Sequence, residues 1–445
     1  MTNYLPVPNS TKSFWLTAEV DFHDHRSTPD LPAETDIVIV GSGYAGTTTA
    51  HFLMEQGFTG TIVMLEARDV CSGATARNGG HLKPSLYYSH KSWTKKFGEK
   101  GAAEIANFEF AHLAAMKELI ESENIDCDFV AGRSCDVHLT PSAVNAALEN
   151  YREFTKNPYV TCKHDVQLHV GENAKTISHV LDSEVCVTFT AGQLWPYKLV
   201  TSLLRKCMQK GLNLQTNTPV LGTEKFGDKW LVKTARGTIL ARKLVIATNA
   251  YTASVEPKFV NKIVPIKGIC SHITPKVRPS HLSHTYGIRY DGADQDYLIN
   301  RADGTVIVGG AKKHIFPFKN VFYNVVDDST LIPGTKEYFD DYMKLFHDWK
   351  LTETETDHIW SGILGYTDDS FPYVGEMPHE SNKFIIAGFH GHGMPRVLLS
   401  AKALASNIMG KELEVPSAFK ISEERMTKTR NEILASRALR LPNSK

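Results

Sequence analysis

Asp36-Ile-Val-Ile-Val40-Gly41-Ser-Gly43-Tyr44-Ala45-Gly46 is the stretch on which the fold turns. Ile37 to Val40 form a continuous, mostly β-branched run, the pattern of a strand buried on both faces. The glycines follow at once. A helical stretch over Thr47–Gln56 closed by Gly57 comes next, then a second strand over Thr61–Leu65 that ends on Glu66. Strand, GxGxxG, helix, strand and acid in this order predict a βαβ unit that binds a dinucleotide. Gly41 permits the tight turn, Gly43 lets the backbone approach a pyrophosphate, and Gly46 lets the helix pack close to the strand. The helix start offers N–H groups and a positive dipole end to phosphates. Glu66 is placed to accept the hydroxyls of a ribose. The alternative is a glycine-rich turn in an unrelated α/β domain.

At 445 residues the chain exceeds one ordinary core, so two domains are expected. Lys plus Arg equals Asp plus Glu at 49 each, which leaves no global field to attract nucleic acid or an anionic membrane. The seven cysteines form no CxxC pair and fit a reducing compartment better than a disulfide framework. No apolar stretch is long enough to span a bilayer, and the N-terminus lacks the basic start and apolar core of a signal peptide. The end, Pro442-Asn-Ser-Lys445, lacks the final Leu of a peroxisomal address, so a cytoplasmic protein is expected.

Further along, helical periodicity runs over 91–125 and again from Pro196 to Gly211, with strand patterns at Phe129–Leu139, Leu212–Val220, Trp230–Thr234 and Lys243–Ala247. Val264 to Val308 has strand-like runs broken by Asp-Gly turns, which predicts an antiparallel sheet. Lys383-Phe-Ile-Ile-Ala387 returns to the buried-strand pattern, followed by Gly388–Gly393 and a helix from about Arg396 to Met409. The expected fold is α/β, α+β overall: a Rossmann-type βαβ domain with an inserted antiparallel-sheet domain. The nucleotide domain would comprise 35–90, 195–263 and 355–412, and the second domain 91–194 and 264–354. Residues 1–34 form an arm, docked through Phe14-Trp15, and 413–445 a C-terminal segment.

Three further segments carry chemistry. Directly after the acid, Gly73-Ala74-Thr75-Ala-Arg77-Asn78-Gly79-Gly80-His81 is dense in glycine, as a loop pressed against a flat ligand would be, with Arg77 as a positive charge beside it. A surface loop is the alternative. Lys243-Leu-Val-Ile-Ala-Thr248-Asn249-Ala250-Tyr251 ends a strand where ligand contacts collect in α/β sheets. Ala387-Gly-Phe-His390-Gly391-His392-Gly393-Met394-Pro395-Arg396 aims a helix start at whatever fills the loop. His390 with His392, or His23 with His25, could be an HxH metal pair, but no third ligand stands at a convincing spacing.

Taken together, VIVGSGYAG with LEAR, SGATARNGGH, ATNAY, GYTDDSFPYVG and IIAGFHGHG resemble the D-amino-acid-oxidase-type family of flavin amine oxidoreductases, in family order over roughly 35–410. That family includes sarcosine oxidase, glycine oxidase and γ-glutamylputrescine oxidase. The resemblance implies FAD held by Gly41, Gly43, Tyr44, Ala45 and Gly46; by Glu66, Ala67 and Arg68; by Gly73, Ala74, Thr75, Arg77, Asn78, Gly79 and Gly80; by Val220, Thr248 and Asn249; and by Gly391, His392, Gly393 and Met394. It implies oxidation of a C–N bond of a small amine by hydride transfer to flavin N5, with Arg77, His81, His392 and Tyr366 on the reacting side. Oxygen or another acceptor would take the electrons.

The departures from that family shape the expectation further. Relatives attach the flavin through a cysteine where this chain has Leu364, or through a histidine where it has Arg77, so the FAD is expected to be non-covalent. The arginine and lysine that hold a sarcosine carboxylate fall on Gly80 and Pro395, and Arg396 is turned about 100° from that place on a helix. A small α-amino acid is therefore less expected than a larger amine bound by other contacts. The oxygen-activating lysine of the sarcosine oxidases has no counterpart on Thr305–Gly309; the next lysine is Lys312. Two other functions remain open: an NAD(P)-dependent dehydrogenase, and a catalytically idle FAD protein that serves as an interaction module.

Overall fold

The computed structural model describes residues 4–427 except 292, 293, 316 and 318. The end of the 413–445 segment, Pro442–Lys445 included, lies outside the described residues. In the first strand, β1 (Glu34–Val40), Ile37–Val40 alternate their side chains between two cores, which is why that run has no polar interruption. Ile37 and Ile39 join Leu53 of helix α1 (Tyr44–Glu55) and Leu398 on one face. Val38 and Val40 join Val63 and Leu65 of β2 (Ile62–Leu65) on the other. The helix starts three residues earlier than the sequence pattern predicts. Gly43 is its N-cap, and the Tyr44 N–H is satisfied by the Thr75 hydroxyl at 2.9 Å, so the last GxGxxG glycine already lies inside the helix.

Among the described residues the strands form two sheets. In the first, β1 lies between β2 and Gly237–Ile246, and all three run parallel. Lys383–Ala387 extends the parallel set beyond Gly237–Ile246, and Asn213–Gln215 extends it beyond β2. Leu212–Val220, expected as one strand, divides: Asn213–Gln215 stays with β2, and Val220–Phe226 turns away to pair antiparallel with Lys229–Thr234. The second sheet is antiparallel except where Thr285–Arg289 runs parallel to Val130–His138. It contains the short β3 (His81–Leu82) and, at its other end, Thr354–Thr367. That last strand was expected with the nucleotide segment beginning at 355. It pairs instead along its whole length with Ile263–Pro275, and the first sheet resumes only at Tyr373–Glu376.

The long helix α2 (His90–Ser122), kinked at Gly98, packs across the helix Val397–Ile408. Trp15 of the arm is fully buried; its indole N–H donates to the Asn78 carbonyl, and the Trp195 indole N–H donates to the carbonyl of Trp15 at 2.8 Å. Phe14 stacks on His272 with centroids 4.0 Å apart. No described helix is long and apolar enough to cross a membrane.

Candidate active site

One cavity of about 820 Å³ is lined from both sheets, and all the glycine-rich motifs meet around it. At one end the first turn is shaped by backbone approach. Gly41 has φ +108°, and a Cβ there would stand 2.7 Å from the Ala247 carbonyl oxygen. A Cβ on Gly46 would overlap the carbonyl oxygen of Gly41. Glu66, at the end of β2, accepts from the Ser42 N–H (3.0 Å), the Ser42 hydroxyl (2.8 Å) and the Arg68 N–H (3.1 Å). A carboxylate has about four acceptor positions, so three fix it and one is left for a ligand hydroxyl. Val220, Ala67 and Arg68 line the same end. The Arg68 guanidinium is bound to both carboxylate oxygens of Asp328.

The loop after Glu66 lines the cavity with Gly73, Ala74, Thr75, Arg77, Asn78 and Gly79, and it makes protein contacts as well. Its glycine density marks close approach to protein as much as to ligand. Gly79 lies against the ring of Tyr297, where a Cβ would overlap it, and a Cβ on Gly80 would stand 2.5 Å from the Leu194 carbonyl oxygen. Gly73 faces open space. Arg77 is buried, and its guanidinium is turned into the scaffold. It donates to the carbonyls of Ser72 (2.9 Å), Thr11 (2.8 Å) and Ser361 (2.9 Å) and to the Ser10 hydroxyl, with Asp328 at 3.4 Å. Its donors are engaged, and its nearest counter-ion, Asp328, is shared with Arg68, so its guanidinium ties the arm to the body. Asn78 does the same locally, closing the loop through Gly80 N–H and the carbonyl of Thr75.

Asn249 joins two motifs that are far apart in sequence. Its side-chain oxygen accepts from the N–H of Gly388 (3.0 Å) and Phe389 (3.2 Å), and Thr248 lines the cavity beside it. The two histidines of the next loop part company. His390 packs on Tyr366 with the rings tilted by 39° and centroids 4.1 Å apart, and its Nδ1 accepts from the Thr367 N–H. His392 Nε2 meets Glu109 of α2 at 2.8 Å, and the other oxygen of Glu109 takes Arg396 Nε at 2.8 Å. Burial alone would raise Glu109, but Arg396 and His392 outweigh it and bring the carboxyl down to about 2. Arg396 is therefore committed to Glu109 and to the Ser370 carbonyl. Gly391, Gly393 and Met394 line the cavity, and Tyr366 lies beneath Gly391.

Sequence reasoning missed the polar groups on the opposite wall. Lys83 Nζ stands 2.6 Å from Asp136 Oδ1, and Arg289 reaches Asp136 Oδ2 with Nη2 at 3.2 Å. Asp136 is buried; burial raises its carboxyl, and Arg289 and then Lys83 override that and hold it well below the usual range. Two cations thus share one carboxylate, and both line the cavity. Arg289 also lies 3.5 Å from the centroid of Tyr88. No spacing rule links the three residues. Asp136 and Arg289 meet because Thr285–Arg289 runs beside Val130–His138, and Lys83 follows β3 of the same sheet.

His81 sits on the same side, its Nε2 2.7 Å from the Thr285 hydroxyl, and burial holds it well below the ordinary histidine range. Thr305–Gly309 carries no lysine, but Lys267 on the strand paired with it lines the cavity, held by the Thr330 hydroxyl at 2.8 Å and lowered by burial. Cys270 lines it too, 3.1 Å from the Tyr297 hydroxyl and pushed by burial up to about 12. Asp296 is raised by burial to about 7 despite donors from Tyr338 and the Ala311 N–H.

A backbone-walled turn, a helix start, a strand-end carboxylate with one acceptor position left and a second glycine loop around one volume fit FAD. Known proteins agree. A probable oxidoreductase OrdL of Rhizobium meliloti is 26% identical over 87% of this chain and 86% of its own length. The gamma-glutamylputrescine oxidoreductase of Escherichia coli is 23% identical over 84% of each chain. The crystal structure of glycine oxidase from Geobacillus kaustophilus superposes with a TM-score of 0.70 at 19% identity, covering 88% of this chain and 99% of that one. Residues 36–407 match the DAO family, and the chain belongs to these FAD dependent oxidoreductases.

Proposed function

We propose that the protein oxidises the C–N bond of a small amine that also carries an acid group. Bound FAD supplies the hydride acceptor. The observation that supports the acid group is the Lys83–Asp136–Arg289 cluster, which brings a net positive charge to the cavity wall opposite the Gly391–Met394 loop. A buried cation without a full counter-charge is costly, so an anionic ligand completes the set. Arg289, with Nη1 on Gln295 at 2.7 Å and its plane on Tyr88, is pre-oriented for a carboxylate. This revises the expectation drawn from Gly80 and Pro395: the charges lost there are supplied from another strand pair.

The reading is tested by anaerobic flavin bleaching with glycine, sarcosine, iminodiacetate and γ-glutamylputrescine against putrescine, which has no acid group. The acids are expected to bleach faster. Lys83→Met or Arg289→Met should raise the half-saturating concentration about 10- to 100-fold, the worth of a hydrogen bond to a charged group. Faster bleaching by putrescine would sink the acid requirement. An NAD(P) dehydrogenase leaves the second glycine loop without a role, and an idle flavoprotein would bleach with none of the five.

Non-covalent attachment of FAD is supported by Leu364 and by Arg77, which face no cysteine or histidine chemistry at the places where relatives attach it. Acid precipitation should leave all of the flavin in the supernatant. A cytoplasmic location fits seven buried, unbridged cysteines.

A further inference from the structure

An amine that reaches this site from neutral solution is mostly ammonium, and a C–N bond is oxidised only once the nitrogen lone pair is free. We propose that His392, held by Glu109, takes that proton, and that Glu109 acts as its positioning residue. The proposal rests on the amine-oxidation reading above.

Glu109 projects from α2, and its side chain is fully buried. Three donors fill it: Arg396 Nε on Oε1, and His392 Nε2 with the Ser85 N–H (2.6 Å) on Oε2. With the carboxylate ionised by Arg396, it can only accept. The proton on neutral His392 is therefore fixed on Nε2, and the lone pair on Nδ1. His392 is itself 30% exposed in its side chain and lines the cavity, while the Nε2 edge is turned to the buried carboxylate. The residue therefore presents a neutral acceptor to the cavity, with a counter-ion behind it for the charged form.

The charged and titratable groups facing His392 are Glu109 from α2, Arg396 at the start of the helix Val397–Ile408, Lys83 and His81 around β3, and His390 in its own loop. Burial and then Arg396 and Lys83 favour the neutral ring; Glu109 alone opposes them. In the step itself the N–H bond of the substrate ammonium breaks and the Nδ1–H bond forms. The products are a neutral amine and an imidazolium paired with Glu109, and no electrons change hands.

Two measurements on the holoenzyme test this. In ¹⁵N-histidine NMR, with His392→Asn identifying the signal, His392 should be the Nε2–H tautomer at neutral pH. Glu109→Ala should release that tautomer, because no acceptor then faces Nε2. A Nδ1–H tautomer, or no change in Glu109→Ala, overturns the proposal. The second readout is the pH profile of anaerobic flavin reduction by whichever of iminodiacetate, glycine and γ-glutamylputrescine bleaches fastest. His392→Asn leaves the Glu109–Arg396 pair intact. It should lower the rate constant at neutral pH on the order of 10²-fold and move the rising limb up to the amine's own pKa. An unmoved limb overturns the proton role and leaves amine oxidation standing. If no amine bleaches the flavin, the amine reading falls and this role falls with it.

Discussion

Arg77 and Asp296 show how single buried groups divide between scaffold and chemistry. Arg77 lies in the loop behind Glu66, yet its guanidinium serves Ser72, Thr11 and Ser361. Arg77→Met should cost on the order of 3 kcal/mol of stability by orphaning those carbonyls, with the flavin spectrum of the folded fraction unchanged. Denaturant unfolding beside a spectrum of the folded protein separates the two effects. Asp296 behaves in the opposite way to most carboxylates. Its folded value of about 7 lies above the unfolded 3.8, so the fold favours the neutral acid. That contribution is complete below about pH 3.8, erodes between the two values and is gone above about 7. Asp296→Asn should therefore be relatively more stable than the parent at pH 8 than at pH 5. A constant difference across that range would remove the argument.

At the scale of elements, the β1–α1–β2 unit was legible because its determinants are local: an unbroken apolar strand, three spaced glycines, and an acid at a strand end. Gly46→Val is the sharpest probe of it. The new Cβ would overlap the Gly41 carbonyl, and no rotamer moves a Cβ. Loss of about 1–3 kcal/mol and of bound flavin is expected, read from thermal unfolding and flavin content of the purified protein. The opposite wall was not legible. Lys83, Asp136 and Arg289 each look like a solvated charge in sequence, and they become one cluster only through strand pairing: Thr285–Arg289 lies beside Val130–His138, and Lys83 follows β3 of the same sheet. Gly79 teaches the same point differently. A glycine signals that something comes close, and here the partner is Tyr297, more than two hundred residues on. The strand Thr354–Thr367 was misassigned because what decides its sheet is its partner, Ile263–Pro275.

For the whole molecule, the arm and the cofactor should stabilise each other. Leu5 and Pro6 line the cavity, and Ser10 and Thr11 hold Arg77. Removing residues 1–13 should weaken FAD retention by ~10-fold or more, the worth of one or two hydrogen bonds to a charged group. Dialysis against apoprotein, followed by flavin fluorescence, measures it, and equal retention would show that the arm is a passenger. FAD at ~1000 times its dissociation constant should add about 4 kcal/mol to the parent.

The order of the central sheet also has a consequence for synthesis. Glu34–Val40 is made early, its neighbour Gly237–Ile246 some two hundred residues later, and Lys383–Ala387 near the end of the chain. During translation the first βαβ unit waits with an open strand edge, and the loop that closes the far end of the cavity does not yet exist. Pairings of such sequence separation form slowly and leave edges open to other chains. Cofactor loading should therefore follow synthesis of the Gly388–Met394 loop, and flavin supply in the expressing cell should govern the yield of soluble protein more than its rate of synthesis does.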